Sequence, residues 1–290
     1  MIIIPGPTSQ ILGIKVARLL NSPIVKVSFK DFPDGETYVR VEGELKNKEI
    51  VLIQSTYYPQ DKHLIQMFFL LDTIKEMGPS KITLVVPYFA YARQDKRFKE
   101  GEALSFNIIR KIIENLGVDE LLTIDIHAPH VLENFSIKTR DLTAMRLIGE
   151  YFSSRELHEP LVIAPDDGAI HRAKTVSEVL KSEYVSFDKF RDRDTGQITM
   201  EFKELNVMGR DILIVDDIIS TGGTMAKAIK MTKDQGANKV FVAATHTLLI
   251  GEARTKIMSA GADEIIGTDT IPNEVSKISV AELIADYLKK

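Results

Sequence analysis

The segment Asp211-Ile212-Leu213-Ile214-Val215-Asp216-Asp217-Ile218-Ile219-Ser220-Thr221-Gly222-Gly223-Thr224 decides the fold of this chain. Its apolar run, residues 212–215, is too short for a helix, and its β-branched side chains suit a strand buried on both faces of a parallel sheet. Asp216 and Asp217 follow at the carboxyl end of that strand, which is where ligands bind in open α/β sheets. The segment therefore predicts an α/β fold with a ligand site at this strand end.

The residues after the two acids suit a phosphate group. They are Ser220, Thr221, Gly222, Gly223 and Thr224, and a helix is predicted over residues 225–235. Hydroxyl groups and glycines at a helix start leave backbone N–H groups open to a ligand and allow its close approach. The acids beside them need hydroxyl groups or a metal ion as partners. A ribose 5-phosphate, with a phosphate at one end and a diol at the other, has that shape.

Each of these features by itself is common in a capped turn between a strand and a helix. Paired acids after a buried strand, followed at this spacing by Ser-Thr-Gly-Gly-Thr, favour the phosphate site over the simple turn. The segment resembles the phosphoribosyl-binding loop of the phosphoribosyltransferase fold.

The composition is that of an ordinary globular protein. The chain has 290 residues, of which 44% are hydrophobic and 27% charged, with a formal net charge of −4. This length suits two domains, and the charge provides no broad basic surface for nucleic acid. The absence of cysteine excludes disulfides, zinc–thiolate sites and a cysteine nucleophile. Residues 1–4 lack the basic part of a signal peptide, and no apolar run approaches about 20 residues, so we expect a cytoplasmic protein that does not bind membranes.

The two halves of the chain follow the same plan of alternating strands and helices, which predicts mostly parallel sheets flanked by helices. Three segments match later ones in the same order: 48–54 with 210–216, 78–82 with 236–240 and 117–122 with 261–266. Several matches in one order indicate an internal duplication. In place of the acids and the glycine loop, the first half has Gln54, Ser55, Thr56, Tyr57 and Tyr58. Its role must therefore differ, and we expect the domain join near residues 143–150.

Apolar periodicity predicts a helix over residues 64–77 and an amphipathic helix within residues 279–290. We expect the apolar stripe of the second helix to pack on the core. The stripe consists of Val280, Leu283, Ile284 and Tyr287.

Three loops of the first half are further candidates. In Phe32-Pro33-Asp34-Gly35-Glu36 the turn residues are ordinary, yet an aromatic ring can stack on a purine while a carboxylate accepts a hydrogen bond from its amino group. The cations in residues 93–97 indicate either a solvated surface or, at a strand end, a polyphosphate contact. His127, beside Asp125, is either a packed residue or a contact to magnesium or phosphate, although imidazole is an unusual partner for magnesium.

Two loops of the second half add to these. Asp166 and Asp167 open a helix and either cap it or hold magnesium while the N–H groups of Gly168 and Ala169 bind phosphate. Residues 188–196 alternate in charge, which is typical of an exposed hairpin. A mobile loop bearing Lys and Arg also suits closure over a transferring phosphoryl group.

Together these motifs resemble the ribose-phosphate pyrophosphokinase family over essentially the whole chain. The resemblance implies two tandem phosphoribosyltransferase-like domains, which we place at residues 1–145 (ATP side) and 146–275 (ribose 5-phosphate loop), with a C-terminal helix at 276–290 packing on the core. It implies transfer of the diphosphoryl group of MgATP to the 1-hydroxyl of ribose 5-phosphate, giving 5-phosphoribosyl 1-pyrophosphate and AMP, with Mg²⁺ as cofactor. It also implies a homo-oligomer with the 32–36 loop near a subunit interface.

The site residues of the family carry over position by position. Lys189 and Arg191 match its catalytic loop, and His127 and Asp166 match its magnesium or triphosphate positions. The ATP-binding positions are Phe32, Asp34, Glu36, Arg93, Gln94, Asp95 and His127. The ribose 5-phosphate positions are Asp216, Asp217, Ser220, Thr221, Gly222, Gly223 and Thr224. Residues 128–135 and 167–171 depart from the family pattern, which bears on allostery and oligomeric state more than on the reaction.

Two other functions would use part of this motif set. A phosphoribosyltransferase would bind the pyrophosphorylated sugar, but it leaves Phe32, Glu36 and Arg93 without a role. A non-catalytic regulatory relative would bind nucleotide and sugar phosphate without turnover, and loss of the Lys and Arg in the mobile loop or of the paired acids would favour it. This chain retains both features. The absence of a Gly-x-x-x-x-Gly-Lys-Ser/Thr motif excludes a Walker-type kinase.

Overall fold

The computed structural model describes residues 1–97, 99–191, 198–201 and 206–289, and it describes only the backbone of residues 188–191 and 198–201. The chain forms two compact units. The first consists of Met1–Thr143 together with Ser279–Lys290, and the second of Ala144–Ile278.

Both units contain helices and strands in the following order. The first unit contains β1 (Ile2–Pro5), α1 (Gln10–Leu20), β2 (Lys26–Asp31), β3 (Thr37–Glu42), β4 (Glu49–Ile53), α2 (Gln60–Glu76), β5 (Lys81–Val86), α3 (Ser105–Asn115), β6 (Glu120–Ile124) and β7 (Lys138–Leu142). The second contains α4 (Met145–Ser153), β8 (Leu161–Ala164), α5 (Ile170–Leu180), β9 (Glu183–Ser186), β10 (Asp188–Arg191), β11 (Ile198–Glu201), β12 (Ile212–Ile219), α6 (Gly223–Asp234), β13 (Val240–Thr247), α7 (Ala253–Ser259), β14 (Glu264–Thr268) and β15 (Ser276–Ile278). The last helix, α8 (Ala281–Leu288), belongs to the first unit.

Each unit is built on a parallel sheet, and the five strands of the first sheet follow the same order as five of the six strands of the second. The order is β1-β4-β5-β6-β7 in the first unit and β9-β8-β12-β13-β14-β15 in the second, so that β4 and β12 occupy equivalent places. Each unit also has an antiparallel hairpin, β2–β3 in the first and β10–β11 in the second. In both units the hairpin comes between the first strand of the parallel sheet and the equivalent strands β4 and β12. This arrangement confirms the predicted α/β class, and the common order agrees with an internal duplication.

Strand β12 lies inside the second sheet, between β8 and β13. Ile212 and Ile214 pack into one hydrophobic cluster, whereas Leu213 and Val215 pack into a second cluster on the other face. All four are at most 1% exposed, as expected for a strand covered on both faces. Burial of each such side chain contributes about 1.5–3 kcal/mol relative to exposure.

The structure corrects the predicted end of this strand at residue 215, because β12 continues to Ile219. Asp216, Ile218 and Ile219 pair in register with residues of β13, whereas pairing with β8 stops at Ile214. Aspartates are unfavourable in strands, so the local sequence indicated an end. Pairing with β13, which is equally long, outweighs that preference. As a result, both acids lie on a part of β12 that extends beyond β8.

Two helices also differ from the sequence expectation. Helix α2 begins at Gln60, not at residue 64, because its first turn is polar and gives no apolar signal. Helix α8 packs against α1, with Val280 and Ile284 fully buried. Within the described ranges, no helix is long and apolar enough to cross a membrane.

Candidate active site

The paired acids on the extension of β12 differ in exposure. The side chain of Asp217 is 4% exposed and that of Asp216 is 17% exposed. The backbone N–H of Asp217 donates to Asp216 Oδ1 at 2.8 Å. Asp216 is thus the acid that a ligand can reach, whereas Asp217 is almost fully covered.

A buried cation, Arg172 of α5, lies against both acids. Its Nη2 is 3.3 Å from Asp217 Oδ2 and its Nη1 is 3.8 Å from Asp216 Oδ1. The same Nη1 donates to the Gly168 carbonyl oxygen at 2.9 Å. The sequence suggested hydroxyl groups or a metal ion as partners of the acids and gave Arg172 no role. In the sequence, the only hint of a role for Arg172 was its position on the helix that follows Asp166. The packing of α5 beside β12 brings Arg172 to the acids.

The charge state of Asp216 follows from this environment. Burial and then the negative charge of Asp217 raise the pKa of Asp216 to about 8, against the opposing effect of Arg172. This raised pKa favours the protonated form of the Asp216 carboxyl when no ligand is present. A protonated carboxyl can both donate and accept hydrogen bonds, which suits contact with a sugar hydroxyl group.

The glycine loop turns directly from β12 into α6. Gly222 has a left-handed φ of +74°, which favours glycine. A Cβ at Gly222 would lie 3.0 Å from the Ala253 carbonyl oxygen, whereas a Cβ at Gly223 would meet no described atom within 4 Å. Helix α6 begins at Gly223, so its first N–H groups have no intrahelical acceptor. The front of the loop is open, and free N–H groups at a helix start are suited to binding a phosphate dianion.

Residues before and within α7 hold this loop from behind. The N–H groups of Leu249 and Ile250 donate to the carbonyl oxygens of Ile219 and Ser220 at 3.1 and 3.0 Å. Lys256 Nζ donates to the carbonyl oxygen of Thr221 at 3.4 Å. These hydrogen bonds engage the backbone carbonyl groups of the loop and hold its conformation.

Asp166 follows β8, the neighbour of β12 in the sheet. It is partly buried, while Asp167 and Gly168 are exposed in a short 3-10 turn over Asp167–Ala169. The carboxyl ends of adjacent parallel strands meet at one edge of a sheet, and Arg172 contacts both this turn and the acids. The second unit therefore brings Asp166, the acid pair and the glycine loop to a single edge.

In the first unit, Phe32, Asp34 and Glu36 lie at the tip of the β2–β3 hairpin. Phe32 is 37% exposed. Its ring meets Tyr38 edge-on at 6.5 Å between centroids, and Lys30 Nζ lies 4.6 Å from the Phe32 centroid. The hairpin thus presents an aromatic face supported by its own strands.

Arg93, Gln94 and Asp95 lie in the loop after β5. Arg93 and Gln94 are exposed, and Gln94 Oε1 accepts a hydrogen bond from Ser105 Oγ at 2.5 Å. Asp95 Oδ2 is 3.0 Å from His130 Nε2. His130 therefore connects this loop to the loop after β6 that carries His127.

His127 is exposed and follows a constrained turn. Asp125 has a left-handed φ of +42°, which non-glycine residues adopt rarely and often at functional sites. His127 and Asp166 belong to different units. Among the residues that the structure describes, no group of three or more His, Cys, Asp or Glu side chains is arranged to hold a metal ion.

The first unit fills the position that the acids and glycine loop occupy in the second. Gln54 and Ser55 are fully buried. Gln54 Oε1 accepts the N–H of Thr8 at 3.2 Å, and Ser9 Oγ accepts the N–H of Ser55 at 3.0 Å. A Cβ at Gly6 would collide with Gln54 Oε1. Polar groups of the chain itself occupy this place.

Lys189 and Arg191 belong to β10, where they pair in register with Met200 and Ile198 of β11. Their side chains, and residues 192–197 between the two strands, lie outside the described part of the chain. Their catalytic roles stay predictions.

Comparisons with known proteins agree across the whole chain. A family model for the N-terminal domain of ribose phosphate pyrophosphokinase matches residues 1–117, and a phosphoribosyl transferase domain model matches residues 136–276. The chain is 42% identical to a ribose-phosphate pyrophosphokinase of Sulfurisphaera tokodaii, with 100% of both chains covered. It is 45% identical to one of Pyrococcus furiosus, with 92% of this chain and 94% of the relative covered. A crystal structure of phosphoribosylpyrophosphate synthetase from Mycobacterium smegmatis superposes with a TM-score of 0.87 at 25% identity, covering 99% of this chain and 97% of the other.

Proposed function

This chain belongs to the ribose-phosphate pyrophosphokinase family, and on that basis we propose how its residues share the reaction of the family. The protein is an enzyme of nucleotide biosynthesis. It transfers the diphosphoryl group of ATP to the 1-hydroxyl of ribose 5-phosphate and yields 5-phosphoribosyl 1-pyrophosphate and AMP. The assignments below concern the residues that bind and orient the two substrates.

Ribose 5-phosphate binds at the sheet edge of the second unit. The first N–H groups of α6 and the hydroxyl groups of Ser220, Thr221 and Thr224 bind its phosphate, and Asp216 binds its ring hydroxyls. The observation that carries this assignment is the open front of the loop at Gly223 beside an acid that remains reachable. Asp217 supports Asp216 from a buried position.

ATP binds to residues of the first unit. Arg93 and Gln94 are exposed at the end of β5, where a guanidinium group can contact phosphate oxygens. Asp95 is held by His130 and orients this stretch. Phe32, Asp34 and Glu36 contact the adenine ring from the exposed hairpin tip, and we place this tip near an interface in a homo-oligomer.

Magnesium arrives as part of the substrate MgATP and neutralises phosphate charge. It prefers oxygen ligands and often binds through one or two carboxylates together with substrate phosphates. The carboxylate of Asp166, at the same edge as the sugar site, fits that preference. His127 fits a phosphate contact better than a magnesium contact, because imidazole is a poor ligand for this ion.

The transfer itself depends on positioning and charge. The 1-hydroxyl must attack the β-phosphorus in line with the departing AMP oxygen. Lys189 and Arg191 supply positive charge to the transferring group. Removal of one such contact in an enzyme site lowers the rate by roughly 10² to 10³.

A cytoplasmic location stays a prediction.

The test is an assay of the purified protein with magnesium, ATP and ribose 5-phosphate that follows AMP and the pyrophosphorylated sugar together. Equimolar formation of both, reduced by orders of magnitude in Lys189→Ala, is expected. Binding of ATP and sugar without AMP formation would indicate a regulatory relative. Formation of ADP in place of AMP would indicate ordinary phosphoryl transfer and contradict the assignments.

A further inference from the structure

We infer that Arg172 is a positioning residue for the sugar substrate, which holds the acid pair of β12 at one fixed spacing from the turn after β8. The inference rests on the proposed use of the second unit as the ribose 5-phosphate site.

The guanidinium group of Arg172 joins these two loops through its own contacts. Its Nη1 donates to Gly168 of the turn at 2.9 Å, and its Nη2 lies 3.3 Å from Asp217 of the strand extension. Arg172 is 6% exposed, so packing fixes its position. A planar guanidinium group can serve two acceptors in set directions, whereas a lysine provides a single point charge.

The contacts of Arg172 are incomplete for a residue placed only for stability. Its Nε is buried and has no hydrogen-bond partner among the residues described. Both of its ion-pair distances, 3.3 and 3.8 Å, exceed the spacing of about 2.7–2.9 Å that charge-assisted hydrogen bonds favour. An unsatisfied buried donor costs about 1–3 kcal/mol, so such groups are rare in folded proteins, and a functional role is one explanation for them. The geometry therefore favours a role in spacing over a role in stability alone.

This arrangement gives the two acids separate tasks. Asp217, the covered acid, is the near partner of Arg172, whereas Asp216 is farther from the guanidinium and more exposed. Loss of Arg172 would remove the guanidinium charge from beside the two adjacent carboxyl groups and release the Gly168 turn. The sugar hydroxyls and the phosphoryl groups would then no longer be held at the correct spacing.

The experiment uses the full chain with Arg172→Gln, Arg172→Lys and the control Arg210→Gln. Arg210 precedes β12 at its opposite end, where it binds Glu183 and the Glu159 carbonyl oxygen at 2.9 Å each. The KM values for ribose 5-phosphate and for ATP, kcat, and calorimetric binding of ribose 5-phosphate alone are measured at a temperature where all variants are folded by circular dichroism.

For Arg172→Gln we expect the KM for ribose 5-phosphate to rise by on the order of 10-fold and kcat to fall by on the order of 10². The KM for ATP should stay within about twofold. Arg172→Lys should recover part of the loss, and Arg210→Gln should leave the KM for ribose 5-phosphate unchanged.

A folded Arg172→Gln with the wild-type KM for ribose 5-phosphate, or with equal changes in both KM values, overturns the inference. If Arg172→Gln does not fold, Arg172→Lys decides, and a wild-type KM for the sugar there also overturns it. A wild-type protein that forms no AMP but binds ribose 5-phosphate, with binding weakened by Arg172→Gln, sinks the proposed function and supports the positioning role. A wild-type protein that does not bind ribose 5-phosphate contradicts both.

Discussion

The hydroxyl group of Tyr287 donates a hydrogen bond to Glu120 Oε1 at 2.7 Å and so joins α8 to β6 across 167 positions of sequence. Lys81 Nζ and Lys138 Nζ bind the same carboxylate at 2.7 and 2.8 Å. Glu120 is 3% exposed. The three donors stabilise the buried side chain of Glu120 only while it is ionised. Loss of one donor would leave its charge less well compensated.

This cluster predicts an acid-sensitive anchor for α8. Burial by itself would raise the pKa of Glu120, but hydrogen bonds from Lys138, Lys81 and Tyr287 lower it from 4.5 to about 2. Since the folded pKa is below the unfolded one, the stabilisation is present above about pH 4.5 and is lost as the pH falls toward 2. We expect Glu120→Gln to lose on the order of 2 kcal/mol at pH 7. Urea unfolding from pH 7 to 2.5 should show the difference from wild type shrinking with acid, and a constant difference would contradict the anchor. Tyr287→Phe, which removes one donor, should show a smaller loss.

Asp216 predicts the opposite dependence on pH. Its pKa is raised to about 8 in the folded protein by burial and by Asp217. Between pH 4 and 8 the folded state therefore holds one proton more than the unfolded state, and its stability falls as the pH rises. Asp216→Asn cannot ionise, so its unfolding midpoint relative to wild type should rise from pH 5 to 8 and then level off. The same variant should bind ribose 5-phosphate weakly. A pH-independent difference in midpoint would show that Asp216 is ionised in the folded protein.

The two loop glycines should respond differently to alanine. Gly222 has φ of +74° and a neighbour 3.0 Å from an added Cβ, so Gly222→Ala should destabilise the fold by about 1–2 kcal/mol. Gly223→Ala adds its methyl group to open space and should leave thermal unfolding unchanged. If the phosphate binds at this loop as proposed, that methyl group would obstruct it, so the KM for ribose 5-phosphate should rise several-fold. An unchanged KM for ribose 5-phosphate in Gly223→Ala would contradict the assignment of the phosphate to this loop.

The contact between His130 and Asp95 predicts a selective effect on ATP. His130→Ala releases Asp95 and should raise the KM for ATP by up to about tenfold, equivalent to about 1.4 kcal/mol. The KM for ribose 5-phosphate, which we propose to bind in the other unit, should not change. His158→Ala, an exposed histidine of the second unit, is the matched control. An equal rise in both KM values would argue against an ATP-side role for His130.

The sequence predicted those parts of the fold that local patterns encode. The run of residues 212–215 gave a buried parallel strand, and the repeated segments gave two sheets of one design. The predicted end of β12 was wrong because β12 is extended past Asp216 by pairing with β13. That strand comes from a later part of the chain, so the local sequence does not reveal the pairing. The start of α2 was late because its polar first turn, Gln60-Asp61-Lys62, carries no apolar signal.

By itself, the sequence determined the fold class, the duplicated plan and the identity of the candidate loop, because strand burial and the Ser-Thr-Gly-Gly-Thr spacing are local properties. Only the tertiary structure decided the electrostatics of that loop. Arg172 and Asp217 stand 45 positions apart, and the packing of α5 against the sheet puts them 3.3 Å apart. Burial then separates a covered acid from a reachable one and raises the pKa of Asp216. Such effects depend on distances and on excluded water, which the order of residues alone does not specify.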